Sequence, residues 1–320
     1  MPTSHQADHA TNSHPAFKRL FLPKKLTFGF IAPIAGYPDT ATPALTEMEK
    51  IVRLADELDL DAIWLRDVPF LDPNFGDAGQ VFDAMVYAGW LAAITKQIFI
   101  GTAGIVLPLR DPVIIAKQAA TVDQLSGGRM ILGLASGDRA SEYPAFGADF
   151  NNRDARFREA KAIITTLLQD DYPRYASTFY GTASGNLDLI PKPAGKMLPT
   201  ISIGRGGQSL EWIANNMDGW IWHGADASRI TDVIPQWEVA CGNTFKPFGY
   251  GTMFDLSANP NDPVGIGRGF VKGGRNGLIN FWQQQQEAGL SHIAINLKPT
   301  RRPAVEILHE FAEFIIPQFR

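Results

Sequence analysis

The sequence predicts a single closed barrel of eight parallel strands wrapped by eight helices, the (β/α)8 or TIM barrel, and three observations predict it. Apolar strand-like segments alternate with amphipathic helical ones about eight times, the pattern of a parallel sheet with helices outside. The 320 residues fit the size of one such barrel. No polar linker divides them. An open doubly wound sheet is the runner-up. The expected organisation is a flexible N-terminal tail over residues 1–23 and one barrel domain over 24–320, with loop insertions at the C-terminal face of the strands.

The elements follow in order. KLTFGFIAPI, from Lys25, reads as a buried strand, and residues 43–59 as an amphipathic helix with Met48, Ile51, Val52, Ala55 and Leu58 inward. DAIWLRD is the second strand, followed by a Pro-, Gly- and Asp-rich loop and a helix over 81–95. IFIGTAGIV is the third strand. Asp111-Pro112 then offers a helix cap and a first-turn proline; Ile115, Ala119, Val122 and Leu125 form the expected inward stripe, and Gly127-Gly128 the stop. RMILGLAS is the fourth strand, breaking off at Gly137-Asp138-Arg139. An irregular insertion leads to a helix from Asp154 with Ile163, Ile164, Leu167 and Leu168 inward, and residues 171–198 read as loop with one short hairpin. TISIG, GWIWH, FGYGTMFDLS and HIAINL supply the remaining strands, each followed by a helical pattern. The long loops at 138–152 and 257–275 are expected to act as lids hinged on glycines.

Composition narrows the function. The net charge is −4, from 29 basic and 33 acidic residues, so no basic field is available for nucleic acid. No apolar run approaches the ~20 residues of a membrane helix. One cysteine, Cys241, excludes an internal disulfide framework and a multi-cysteine zinc site. The first 23 residues lack the apolar core of a secretory signal, so the expectation is a cytoplasmic enzyme. His5, His9 and His14 read as part of a polar terminus in preference to metal ligands.

In such a barrel the loops after the strands make the site. Those positions are Asp67, Ala103-Gly104, Gly137-Asp138-Arg139, Arg205-Gly206-Gly207-Gln208-Ser209 and Trp222-His223. GRGGQS reads either as a tight turn or as a phosphate cradle, with Arg205 as the cation and Ser209 at a helix start. His223 is either a hydrogen-bonded structural histidine or a functional one. Asp67 either pairs with Arg66 or contacts a ligand. GIGRG at 265–269 lacks the dinucleotide spacing, and no metallohydrolase or serine-hydrolase pattern occurs. An organic cofactor has to carry the chemistry, and metal is not expected.

The segment IGTAGIVLPLRDPVIIAKQAATVDQLSGGRMILGLASG closely resembles the hallmark stretch of the luciferase-like flavin monooxygenases, the bacterial luciferase family. The resemblance continues in DAIWLRD, FGADFNNRDARFREA and GRGGQSLEWIANNMDGW, over roughly residues 25–240. It implies a monooxygenase that uses reduced FMN and O2 to oxygenate a small organic substrate through a C4a-peroxyflavin, with a separate flavin reductase as partner. The alternatives are an F420-dependent oxidoreductase transferring hydride directly, and a non-catalytic flavin-binding protein. No nucleic acid or membrane partner is implied, and a homodimer is compatible with it. The implied cofactor residues are Ala103 and Gly104 at a non-proline cis peptide, Ser136 and Gly137 at a strand end, Arg205, Gly206, Gly207 and Ser209 at the phosphate, and Arg156 (or Arg153) reaching it. Asp67, His223 and Arg139 are the expected catalytic set. Two positions depart from luciferase itself: Val68 stands where a histidine follows the acid, and Ser136 where an arginine ends the fourth strand.

Overall fold

Runs such as TFGFI and AIWL are apolar on both alternating faces, and such strands are stable only when both faces are covered. The computed structural model, which describes residues 14–195 and 197–320, meets that demand with a closed barrel. Its strands are β1 (Thr27–Ile31), β2 (Ala62–Leu65), β3 (Phe99–Thr102), β4 (Met130–Ala135), β5 (Thr200–Ile203), β6 (Gly219–His223), β7 (Phe248–Leu256) and β8 (His292–Asn296). Neighbours pair parallel in that order. His292 of β8 lies opposite Gly249 of β7 and Thr27 of β1, which closes the ring. The open doubly wound alternative is therefore excluded.

Eight helices follow the strands: α1 (Met48–Glu57), α2 (Ala84–Ile94), α3 (Pro112–Ser126), α4 (Arg153–Gln169), α5 (Leu210–Asn216), α6 (Ile230–Cys241), α7 (Arg275–Glu287) and α8 (Ala304–Glu310). Local chemistry sets their ends. Asp111 accepts from the amides of Val113 at 2.8 Å and Ile114 at 3.2 Å, and Gly127 ends α3 at φ 71°. Asp83 caps α2 in the same way, which moves its start from 81 to Ala84. The α3 stripe needs one correction: Leu125 is 68% exposed, and Ser126 takes the inward place. Four residues after Val122 return to the core face more nearly than three do.

The barrel interior is filled by Trp64, Phe99, Ile131, Ile201, Ile221 and their neighbours. Gly29 and Gly101 make room for Trp64. A Cβ at either would lie 2.3 Å from its ring. Below this layer, Ala16, Leu20 and Phe21 are buried in the same cluster, around a short helical turn, Ala16–Arg19. Residues from 14 onward thus belong to the packed unit, which corrects the expected tail boundary at 23; the apolar face of AFKRLF has the barrel floor to cover. His14 is buried too, accepting from Ala16 N at 3.1 Å, with Asp123 3.6 Å from its other nitrogen. His5 and His9 lie outside the described residues.

The two expected lids are tied down. The 257–275 segment forms an antiparallel pair, Gly265–Gly267 with Phe270–Gly273, and the second strand extends the barrel sheet alongside Met253–Leu256. Residues 140–146 form a short tight helix whose Tyr143 hydroxyl donates to the Ser136 carbonyl. The hairpin expected within 171–198 is present, Arg174–Ala176 with Thr182–Ser184. No helix among the described residues is long and apolar enough to cross a membrane.

Candidate functional site at the barrel mouth

At the carboxyl ends of the strands lies a cavity of about 460 Å³, within the size range of small-molecule sites. Its floor is apolar: Ala103, Gly104, Ala135 and Ile203. The Ala103–Gly104 peptide is cis. A Cβ on Gly104 would approach Ile203 to 2.7 Å and the Gly133 carbonyl oxygen to 3.0 Å. Only glycine lets β3 turn here against β4 and β5.

Charged groups that line the cavity are mostly paired with one another. Arg66 pairs with Asp77, which also accepts from the Tyr37 hydroxyl at 3.2 Å and the Gly79 amide at 2.9 Å. Burial opposes charge on Asp77, but the Arg66 guanidinium, the Gly79 amide and the nearby Lys298 ammonium outweigh it and hold its carboxyl below the ordinary range. Asp67, also buried, accepts from the Val106 amide at 3.0 Å and from Arg110 through Nε at 3.2 Å and through Nη2. The expected Arg66–Asp67 pair is thus corrected: adjacent residues on a strand point to opposite faces, and each finds a partner from another loop. Arg139 donates to the carbonyls of Phe70 and Asp77, each at 3.2 Å, and stacks 4.6 Å from the Phe75 ring. Glu142 lies 3.8 Å from it; burial pushes the Glu142 carboxyl up against the pull of Arg139. These contacts bind loops 66–80 and 138–147 into one wall.

Three titratable side chains on the cavity, Asp138, Arg205 and His223, have no hydrogen-bond or ion-pair partner among the described residues. Arg205 is exposed and forms no ion pair among the described residues; its guanidinium carbon is 5.8 Å from the Trp220 ring centre. His223 has no hydrogen-bond partner among them. Its ring is exposed to the cavity; partial desolvation there and the nearby Arg66 cation, against the pull of Asp138 and Asp77, hold its imidazole below the usual 6.5. At neutral pH it is an uncharged ring able to take a proton.

The structure brings Asp67, Ala103, Gly104, Ser136, Gly137, Arg139, Arg205, Gly206 and His223 together around one cavity. It leaves out three expected cofactor residues. Arg156 donates to the Pro108 carbonyl at 3.1 Å and stacks on Phe179 and Tyr180. Arg153 is likewise engaged, by the Phe150 carbonyl and ring. Ser209 caps its own helix, accepting from Trp212 N at 3.1 Å. Gly207 faces the Asp154 carboxylate, which a Cβ there would overlap at 2.0 Å. Trp222 stacks outward on Trp220, because inward places alternate with it at Ile221 and His223. Sequence reasoning missed Asp77 and Arg110. Both are polar residues in loops, and the paired guanidinium or carboxylate lies 11 and 43 positions away.

A (β/α)8 barrel with a polar-rimmed cavity at its carboxyl face has the architecture in which small-molecule sites are found. The sequence model described as luciferase-like monooxygenase matches residues 26–260, and the chain belongs to that family. It is 31% identical over 137 residues to the alkanal monooxygenase beta chain of Photorhabdus luminescens, covering 43% of this chain and 41% of that one. It is 34% identical over 130 residues to an F420-dependent glucose-6-phosphate dehydrogenase of Amycolatopsis mediterranei, covering 39% and 38%. The matches therefore span about two fifths of these curated relatives. Among solved structures, the oxygenating constituent of 3,6-diketocamphane monooxygenase from Pseudomonas putida, in complex with FMN, superposes with a TM-score of 0.73 at 13% identity. That superposition covers 92% of this chain and 99% of the other.

Proposed function

We propose that this protein is a flavin-dependent monooxygenase that uses reduced FMN and O2 to oxygenate a small organic substrate. The observation that carries the reading is the mouth cavity itself: an apolar floor around the cis Ala103–Gly104 peptide, with one unpaired cation, Arg205, and one unpartnered neutral imidazole, His223, on its walls. The residues present fit a flavin. Arg205 and the Gly206 backbone suit its phosphate. Ala103, Gly104, Ser136 and Gly137 offer the flat apolar and backbone surface that a ring system needs. Reduced flavin, when bound, supplies the electrons for oxygen chemistry.

The chain's own groups do the rest. His223 takes or returns a proton at a ring nitrogen. Asp67 and Arg139 act as positioning residues, since their polar atoms already hold the walls. Phe75 and Met253 at the rim add apolar surface that excludes water. No dinucleotide fingerprint occurs in the chain, so a separate reductase would supply the reduced flavin.

The second reading is F420-dependent hydride transfer, supported by the partial match to an F420-dependent dehydrogenase. Anaerobic titration with reduced FMN and with F420, followed by measurement of oxygen consumption, separates the two. The expected result is saturable binding of reduced FMN and substrate-stimulated oxygen uptake. Tight binding of F420 with no oxygen uptake would replace the first reading with the second. Binding of flavin without turnover on any organic substrate would leave a non-catalytic carrier.

A further inference from the structure

A second cavity, of about 300 Å³, lies at the opposite end of the barrel, where α4 and α5 end and β5 and β6 begin. Two lysines line it. Lys161, half-buried on α4, makes its one side-chain hydrogen bond to Thr165 Oγ1 at 2.9 Å and no ion pair among the described residues. Lys246 donates to the carbonyls of Ala214 at 2.6 Å and Met217 at 2.7 Å, the open end of α5, which leaves a third N–H. One carboxylate, Asp218, lines the same space, but its Oδ2 accepts both the amide and the hydroxyl of Thr200, at 2.8 and 2.9 Å. Two ammonium groups thus share a cavity with one carboxylate, an excess of one positive charge. Burial disfavours the charge on Lys161, Asp218 partly restores it, and Lys246 adds to the penalty.

We propose that this cavity is a binding site for a small oxyanion of the phosphate or carboxylate class, held between Lys161 and Lys246. A half-buried ammonium with one neutral acceptor keeps further N–H groups for a partner, and an anion placed between two such cations completes both. Thr244 adds a hydroxyl donor at the same space, whereas the Thr165 hydroxyl already donates to the Lys161 carbonyl at 3.0 Å. The site is separate from the mouth: none of its lining residues borders the other cavity. Nothing in the proposal depends on which cofactor the mouth takes.

The test is thermal unfolding of the full chain in inorganic phosphate or acetate against chloride at matched ionic strength, for the wild type, Lys161→Met and Arg205→Ala. The wild type is expected to gain about 2 °C at roughly ten times the Kd of the anion. Lys161→Met should lose the anion response. Arg205→Ala should keep it. A response by phosphate alone makes the site a phosphate site, and a response by acetate as well makes it a general oxyanion site. Anion stabilisation retained in Lys161→Met, or abolished in Arg205→Ala, overturns the proposal. Crystals of the wild type soaked in selenate give an independent reading: anomalous density between the Lys161 and Lys246 side chains supports it, and density at Arg205 alone refutes it.

Discussion

The barrel holds two histidines on its inner side, one at each end, and they live opposite lives. His292, in β8, is fully buried; its Nε2 accepts from Trp64 Nε1 at 2.9 Å, and its Nδ1 lies 2.8 Å from the Thr27 hydroxyl. With Nε2 accepting, Nδ1 carries the proton. Thr27 in turn donates to the Leu20 carbonyl at 3.0 Å, which ties the N-terminal segment into the floor. His223, in β6, faces the mouth cavity without a partner among the described residues. Full burial lowers His292 to about 3, and partial desolvation at the cavity with help from Arg66 lowers His223 below its usual value. A satisfied imidazole holds the fold together. An unsatisfied one at a cavity is free to exchange a proton.

This contrast breaks most visibly at His223. His223→Ala should lower turnover by about 10²–10⁴-fold, the range for loss of a general acid or base, while Tm moves within about 1 °C, since no contact that holds the wall is lost. The basic form is the active one in a base role. Activity should therefore rise with pH through a value below 6.5, and the variant should lack that limb. A matching loss of Tm would assign His223 to the fold.

The floor should answer in the other currency. Phe21→Ala removes a buried ring from beneath the barrel and should cost about 3–5 kcal/mol in chemical denaturation, with the Kd for flavin unchanged in the folded fraction. Affinity that falls in parallel would mean the floor shapes the mouth. His292 gives an effect that develops only as pH falls. Its folded value is depressed, so the unfolded chain takes up the proton first and stability is lost as pH falls from about 6.5 towards 3. The loss should be about 1.4 kcal/mol per pH unit in that window. His292→Gln should flatten that slope. An unchanged slope would assign the acid loss to other groups.

The barrel was legible in the sequence because period and punctuation are local. Asp111-Pro112 and Gly127 marked α3 to the residue, and runs such as TFGFI announced strands covered on both faces. Positions at strand ends, and so most of the mouth, followed from topology alone. What stayed hidden was pairing at a distance. Nothing near Asp67 in the chain points to Arg110, and nothing near Arg66 to Asp77. Arg156 looked free for a phosphate because the Pro108 carbonyl and the Phe179 and Tyr180 rings reach it only in the fold. Likewise AFKRLF read as tail, since its apolar face is satisfied only by the underside of the barrel.

The central claim, that the mouth holds a flavin by its phosphate, rests most directly on Arg205. Fluorescence titration of wild type and Arg205→Ala with FMN and with riboflavin tests it. A charged hydrogen bond is worth about 1.5–3 kcal/mol, so the Kd for FMN should rise roughly tenfold to a hundredfold, while riboflavin, which has no phosphate, should bind both proteins alike. Equal weakening for the two ligands, or no weakening for FMN, would contradict the account.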